Sequence, residues 1–215
     1  YPVEVSSRAV FGIALPAAMA FITEPMVGIV DTTVIGRLGD PALLGGAVLG
    51  ALVFDTIFAL AYFLRLGTAG LTAQAVGARD PADGLMHVAR AIAVALAIGL
   101  VLIGLREPIL WLAERLLGAS PDVDAALGIY FRIRLLAAPC VLINYALLGW
   151  FYGRAHARTG MLVQILIHGV NIVLSISLVL GLGWGVAGAG WATVLGEAAA
   201  TLLGLWLLAR HYGGV

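Results

Sequence analysis

Long apolar stretches separated by short polar punctuation organise this chain. Runs such as AIAVALAIGLVLIGL show no alternation of apolar and polar positions, which excludes the two-residue period of membrane-barrel strands and leaves helices. A helix needs about 20 mainly apolar residues to cross the hydrocarbon core. Breaking the chain at its polar and Gly/Pro positions predicts six such segments, roughly 8 to 36, 42 to 66, 85 to 105, 124 to 152, 159 to 181 and 185 to 209. The expected fold class is all-α, a polytopic membrane protein with six transmembrane helices in a single unit over 1 to 215. Between the third and fourth segments, ILWLAERLLG at 109 to 118 predicts a short amphipathic helix on the outer surface.

Composition supports this pattern and narrows the function classes. Of 215 residues, 62% are hydrophobic and 11% charged, against about 25% charged in soluble domains, and the mean hydropathy is +1.05. The lipid bilayer is thus the first partner. Twelve cations balance twelve anions, so there is no basic surface of the kind that attracts nucleic acid. The single cysteine, Cys140, cannot form an internal disulfide, and His87, His156, His168 and His211 are scattered without metal-ligand spacing. No resident metal or cofactor is expected. The chain contains no GxSxG, HExxH, P-loop or dinucleotide fingerprint, which argues against an enzyme.

Arginine placement predicts orientation. With the N-terminus inside, the inner loops and ends hold Arg8, Arg79, Arg90, Arg154, Arg158 and Arg210, and the outer loops hold Arg37, Arg106 and Arg115. The positive-inside rule then places both termini of this segment in the cytoplasm.

Polar groups at membrane depth carry the functional signal, because a charged side chain there costs about 2.5–3.5 kcal/mol on insertion scales. Glu24 and Asp31 in EPMVGIVDTT are seven residues apart, which puts them within roughly 20° on one helical face. Pro16 and Pro25 remove backbone donors and predict kinks in the same helix. Freed carbonyls beside carboxylates make a cation or proton site, and desolvation suits a buried acid to carrying a proton. Either acid reads equally as a structural group, Asp31 held by a hydroxyl or a backbone group or solvated near the surface, Glu24 as a neutral helix contact. In the fifth segment Gln164, His168, Asn171 and Ser175 follow at steps of four, three and four and form one stripe. That stripe offers oxygens to a cation or a substrate, or else hydrogen bonds between helices. Asn144 and Glu197 are further cavity-lining candidates, with Glu197 expected to bond a neighbouring helix. Asp55 is expected to pair with Arg65 or with a first-segment group.

Several stretches together resemble the multidrug and toxic compound extrusion (MATE) family, its DinF-like branch most closely: LPAAMAFITEPMVGIVDTTVIGRLGDPALLGGAVLG, FLRLGTAGLTAQAVGARDP, YFRIRLLAAPCVLINYALLGWFYGRAHART and NIVLSISLVLGLGWGVAGAGWATVLGE. The resemblance covers nearly the whole chain in order. It implies the N-terminal six-helix lobe of a secondary antiporter that exports organic, often cationic, compounds across the plasma membrane in exchange for H⁺ or Na⁺. By this resemblance Asp31 matches the family's first-span acid and Pro16 its helix-bending proline, while Asn171 and Ser175 match a fifth-span motif. Many relatives carry a second carboxylate where this chain has Ser175. That departure leaves Asp31, the position where Na⁺ would bind, to couple with neutral partners such as Asn171, or with Glu24. Family members have about twice as many spans, and the chain starts at Tyr1, so a fragment lacking its C-terminal lobe is expected rather than a half-transporter pairing with a second copy. The competing class is a non-transporting membrane scaffold or lipid-handling subunit.

Overall fold

Two Asp-Pro pairs start helices as elementary capping chemistry predicts. In the computed structural model, which describes residues 7–212, Asp40 and Asp80 accept hydrogen bonds from the backbone N–H groups of Ala42 and Asp83, with Pro41 and Pro81 in the first turn. The helices are α1 (Ser7–Gly36), α2 (Pro41–Leu60), α3 (Phe63–Gly77), α4 (Pro81–Gly104), α5 (Arg106–Leu117), α6 (Pro121–Arg134), α7 (Ala138–Gly153), α8 (Ala157–Ser175) and α9 (Gly185–Tyr212). A 3₁₀ turn, Leu135–Ala137, joins α6 to α7, and a π-helical turn, Ile176–Gly181, extends α8. The described residues contain no strand.

Among the described residues, five segments are long and apolar enough to cross a membrane: Pro41–Gly77, Pro81–Gly104, Pro121–Gly153, Ala157–Gly181 and Gly185–His211. α1 supplies a sixth candidate by length, running 30 residues through Pro16 and Pro25 as one helix. The side chains of Glu24 and Pro25 lie outside the described set.

One boundary needs correction. The segment expected to end at 66 continues as α3 to Gly77, through the small and polar residues of GTAGLTAQ. Those residues are a packing face. A methyl group on Gly149 of α7 would lie 2.5 Å from the Arg65 carbonyl oxygen, and one on Gly153 would lie 2.5 Å from that of Ala69. Close backbone approach through small residues is how membrane helices gain contact area, and it holds α3 against α7. Between α2 and α3 the ladder tightens to i→i+3 bonds, Tyr62 N–H to Ala59 and Leu64 N–H to Ala61. This interruption directs α2 onto α6 and α3 onto α7.

α7 forms the centre of the packing, with α3, α4 and α9 around it and Leu142, Leu147 and Trp150 fully buried. α1 lies on α8, and α9 packs on α8 and α6. The expected amphipathic helix is α5, which buries Leu110 and Ala113 and exposes Trp111, Leu112 and Leu116. Arg132 of α6 grips Glu107 of α5 through both carboxylate oxygens at 2.8–3.1 Å. Those bonds hold the exposed Glu107 carboxyl below the usual carboxylate range.

Candidate functional site

The polar stripe of α8 faces inward. Gln164, Asn171 and Ser175 are buried and His168 is half-buried, while Leu162, Ile165 and Val173 on the other faces are exposed. Ser175 is the last α-helical residue before the π-helical turn, an irregularity that often marks functional positions. Its hydroxyl donates to Asp31 Oδ1 at 2.6 Å. The Asp31 carboxylate, itself 9% exposed, is thus held across the α1–α8 contact.

One turn along, Asn171 Nδ2 donates to Thr193 Oγ1 of α9 at 3.0 Å. The Thr193 hydroxyl in turn donates to the Ala189 carbonyl at 3.4 Å. Among the described residues, Asn171 Oδ1 and His168 Nε2 are buried atoms with no hydrogen-bond partner. Gly196 allows this closeness, since a methyl group there would meet the Ile167 carbonyl oxygen at 2.9 Å.

A second network joins α7 to α9. Asn144 Nδ2 donates to Glu197 Oε2 at 2.7 Å and to the Glu197 carbonyl at 3.1 Å, and the Thr201 hydroxyl reaches Asn144 Oδ1 at 3.1 Å. Two arginines sit at other points of the wall. Arg65 Nη2 donates to Gln164 Oε1 at 3.4 Å, with its guanidinium 5.4 and 5.2 Å from the ring centres of Tyr62 and Tyr152. Arg134 donates to the Tyr130 hydroxyl at 3.0 Å, lies 4.0 Å over the Phe54 ring and reaches Asp55 at 3.4 Å. Among the described residues Asp55 therefore pairs with Arg134 of α6, where Arg65 or a first-segment group was expected. The reason is the α2–α6 packing, which places residues 79 positions apart in register.

These groups surround one cavity of about 900 Å³, within the size range of small-molecule sites. Asp31, Asn171, Gln164, His168, Asn144 and Glu197 all line it, and Ser175 stands behind Asp31. Pro16 is half-buried in α1 and is not among the lining residues. Sequence reasoning passed over Thr193 and Thr201, although with Glu197 they form a stripe at four-residue spacing on α9. It offered Arg65 only as a partner for Asp55 and passed over Arg134, when an arginine at membrane depth is itself a signal.

Residues 16–177 match the family model MatE. The chain is 40% identical over 205 residues to DNA damage-inducible protein F of Escherichia coli K12, covering 95% of this chain and 45% of that protein. It is 27% identical over 191 residues to the probable multidrug resistance protein NorM of Chromobacterium violaceum, covering 87% and 41%. An outward-facing multidrug resistance MATE family transporter of the MOP superfamily superposes with a TM-score of 0.85 at 27% identity, covering 92% of this chain and 44% of that one. The chain spans less than half the length of these relatives.

Proposed function

The chain belongs to the MatE family of transporters, and on that premise we propose that it forms one six-helix lobe of a secondary antiporter exporting organic, often cationic, compounds across the plasma membrane. The observation that carries this reading is the Asp31 carboxylate, held by Ser175 at 2.6 Å in the wall of a cavity large enough for a small organic molecule.

Asp31 binds the coupling ion, and H⁺ fits this wall better than Na⁺. A proton needs a single oxygen, whereas Na⁺ needs several, and Ser175 supplies a neutral hydroxyl that already donates to Asp31. When Asp31 is neutralised, the charge-assisted bond between α1 and α8 weakens. α1 then rearranges, with Pro16 and Pro25 as the points where its hydrogen-bond ladder is interrupted, and the cavity expels its substrate. A ligand shifts such an equilibrium only by its differential affinity for the two states. The change in Asp31 charge supplies that difference. Glu24 shares the helical face of Asp31 by spacing and is the second acid of this reading.

Arginine placement supports an orientation with both ends of the segment cytoplasmic. A second six-helix lobe, or a second copy of this one, is the partner that completes the cavity.

Asp31→Asn in the complete gene product tests the reading. Ion-driven efflux of ethidium from proteoliposomes is expected to fall at least about tenfold, the effect of losing about 1.4 kcal/mol of coupling. Unchanged efflux at normal expression would overturn it.

A further inference from the structure

Two carboxylates share one guanidinium in the cavity wall. α2 and α6 run side by side, with Gly46 against Ala126 and Gly50 against Tyr130, where an added methyl group would come within 2.5 and 2.7 Å of those side chains. The same register brings Arg134 Nη2 to Asp55 Oδ1 at 3.4 Å. Arg134 also donates to the Tyr130 hydroxyl at 3.0 Å and lies 4.0 Å over the Phe54 ring, so it is anchored independently of either acid. Its charge acts on Asp31 as well as on Asp55, and both acids act on Tyr130. These groups form one electrostatic cluster joining α1, α2 and α6, and all line the cavity. The two acids differ in access. Asp31 is buried, whereas the Asp55 side chain is 69% exposed. Asp55 stands about 21 Å along α2 from Pro41 at 1.5 Å per residue, a depth at which a charge facing lipid is costly. Leu44, Val48, Ala51, Asp55 and Tyr62 recur at helical spacing among the lining residues, so the open carboxylate belongs to the cavity face of α2.

We propose that Asp55 receives the charged end of an organic cation, and that Arg134 is the positioning residue that makes this seat depend on Asp31. Two carboxylates and one guanidinium leave a single negative charge. One positive charge balances it, either the coupling ion at Asp31 or the organic cation at Asp55. With Asp31 ionised, Arg134 divides its charge between the two acids. Its exposed pair with Asp55 is weak, and the organic cation takes its place there. With Asp31 neutralised, Arg134 serves Asp55 alone and the organic cation leaves. This inference rests on the export reading above and names the acid through which substrate and coupling ion compete.

Tetraphenylphosphonium, a permanent cation with no titratable group, is a suitable probe, and its binding to the complete, purified gene product is followed by isothermal titration calorimetry. Asp55→Asn is expected to weaken binding about tenfold, as the loss of a charge partner does. Asp31→Asn, which fixes the neutral state, is expected to weaken it severalfold. That penalty is expected to vanish in the Arg134→Gln background, because Asp31 then has no guanidinium through which to act on Asp55. The vanishing penalty is the informative readout. A merely structural Arg134 would add its own loss and leave the Asp31→Asn penalty in place, and so would a cation seated directly on Asp31. Wild-type affinity in Asp55→Asn overturns the proposal and leaves export standing, as does an Asp31→Asn penalty of equal size in the two backgrounds. If Arg134→Gln does not fold, the exposed Asp55→Asn variant decides alone. Failure of the wild-type protein to bind the probe counts against the export reading and takes the seat with it.

Discussion

Asp31 and Ser175 are 144 positions apart and meet through one hydrogen bond of 2.6 Å. A bond to a charged group contributes about 1.5–3 kcal/mol, so Ser175→Ala is expected to lower the stability of the purified protein by that order. It should also displace the pH profile of transport, because the donor that discriminates ionised from neutral Asp31 is gone. Ser175→Asp places two carboxylates in contact, and such a pair titrates as a unit. Its transport is expected to show a changed pH optimum or a new dependence on Na⁺, measured as efflux against external pH and salt. Profiles identical to wild type in both variants would separate Ser175 from the coupling site. At this scale, cost at membrane depth pointed to Asp31, His168, Asn171 and Glu197 before any helix was placed, and all four line the cavity. The choice between a functional and a merely hydrogen-bonded Asp31 was not legible, because the Ser175 hydroxyl that meets the carboxylate comes from a helix 144 positions away.

At the scale of elements, small residues decide how close helices come. The α3–α7 contact places Gly149 and Gly153 against backbone carbonyls that cannot swing away. Gly153→Val is therefore expected to destabilise the protein by about 1–3 kcal/mol, read as a lower thermal midpoint and reduced yield in membranes. Gly169→Ala on α8, where nothing lies within 4 Å of an added methyl, serves as the neutral control. Equal stability of the two variants would show that α3 does not depend on this seam. The Asp-Pro starts of α2 and α4 were readable as local chemistry. The extent of α3 was not, because Thr68 and Thr72, buried against α7, look like loop residues until their partner helix is known.

For the whole molecule, the orientation proposed from the arginines has a direct test. In the complete gene product with Cys140 replaced by alanine, a cysteine at the exposed position Asp122, before which α5 ends, should react with an impermeant maleimide added to intact cells. A cysteine at Ala155, exposed between α7 and α8, should react only after permeabilisation. The reverse pattern would invert the topology.

By itself the sequence determined the apolar segments, most of their ends and the stripe on α8, because hydropathy, capping and helical periodicity act within a few residues of chain. It also placed the acids and the histidine whose burial demands an explanation. Only the tertiary structure decided who meets whom: Ser175 with Asp31, Asn144 with Glu197, Arg134 with Asp55. Those pairings follow from the rotation and register of one helix against another. Rotation and register are set by contacts such as Gly149 on Arg65 and Gly196 on Ile167, between residues far apart in the chain, where no local period can carry the information.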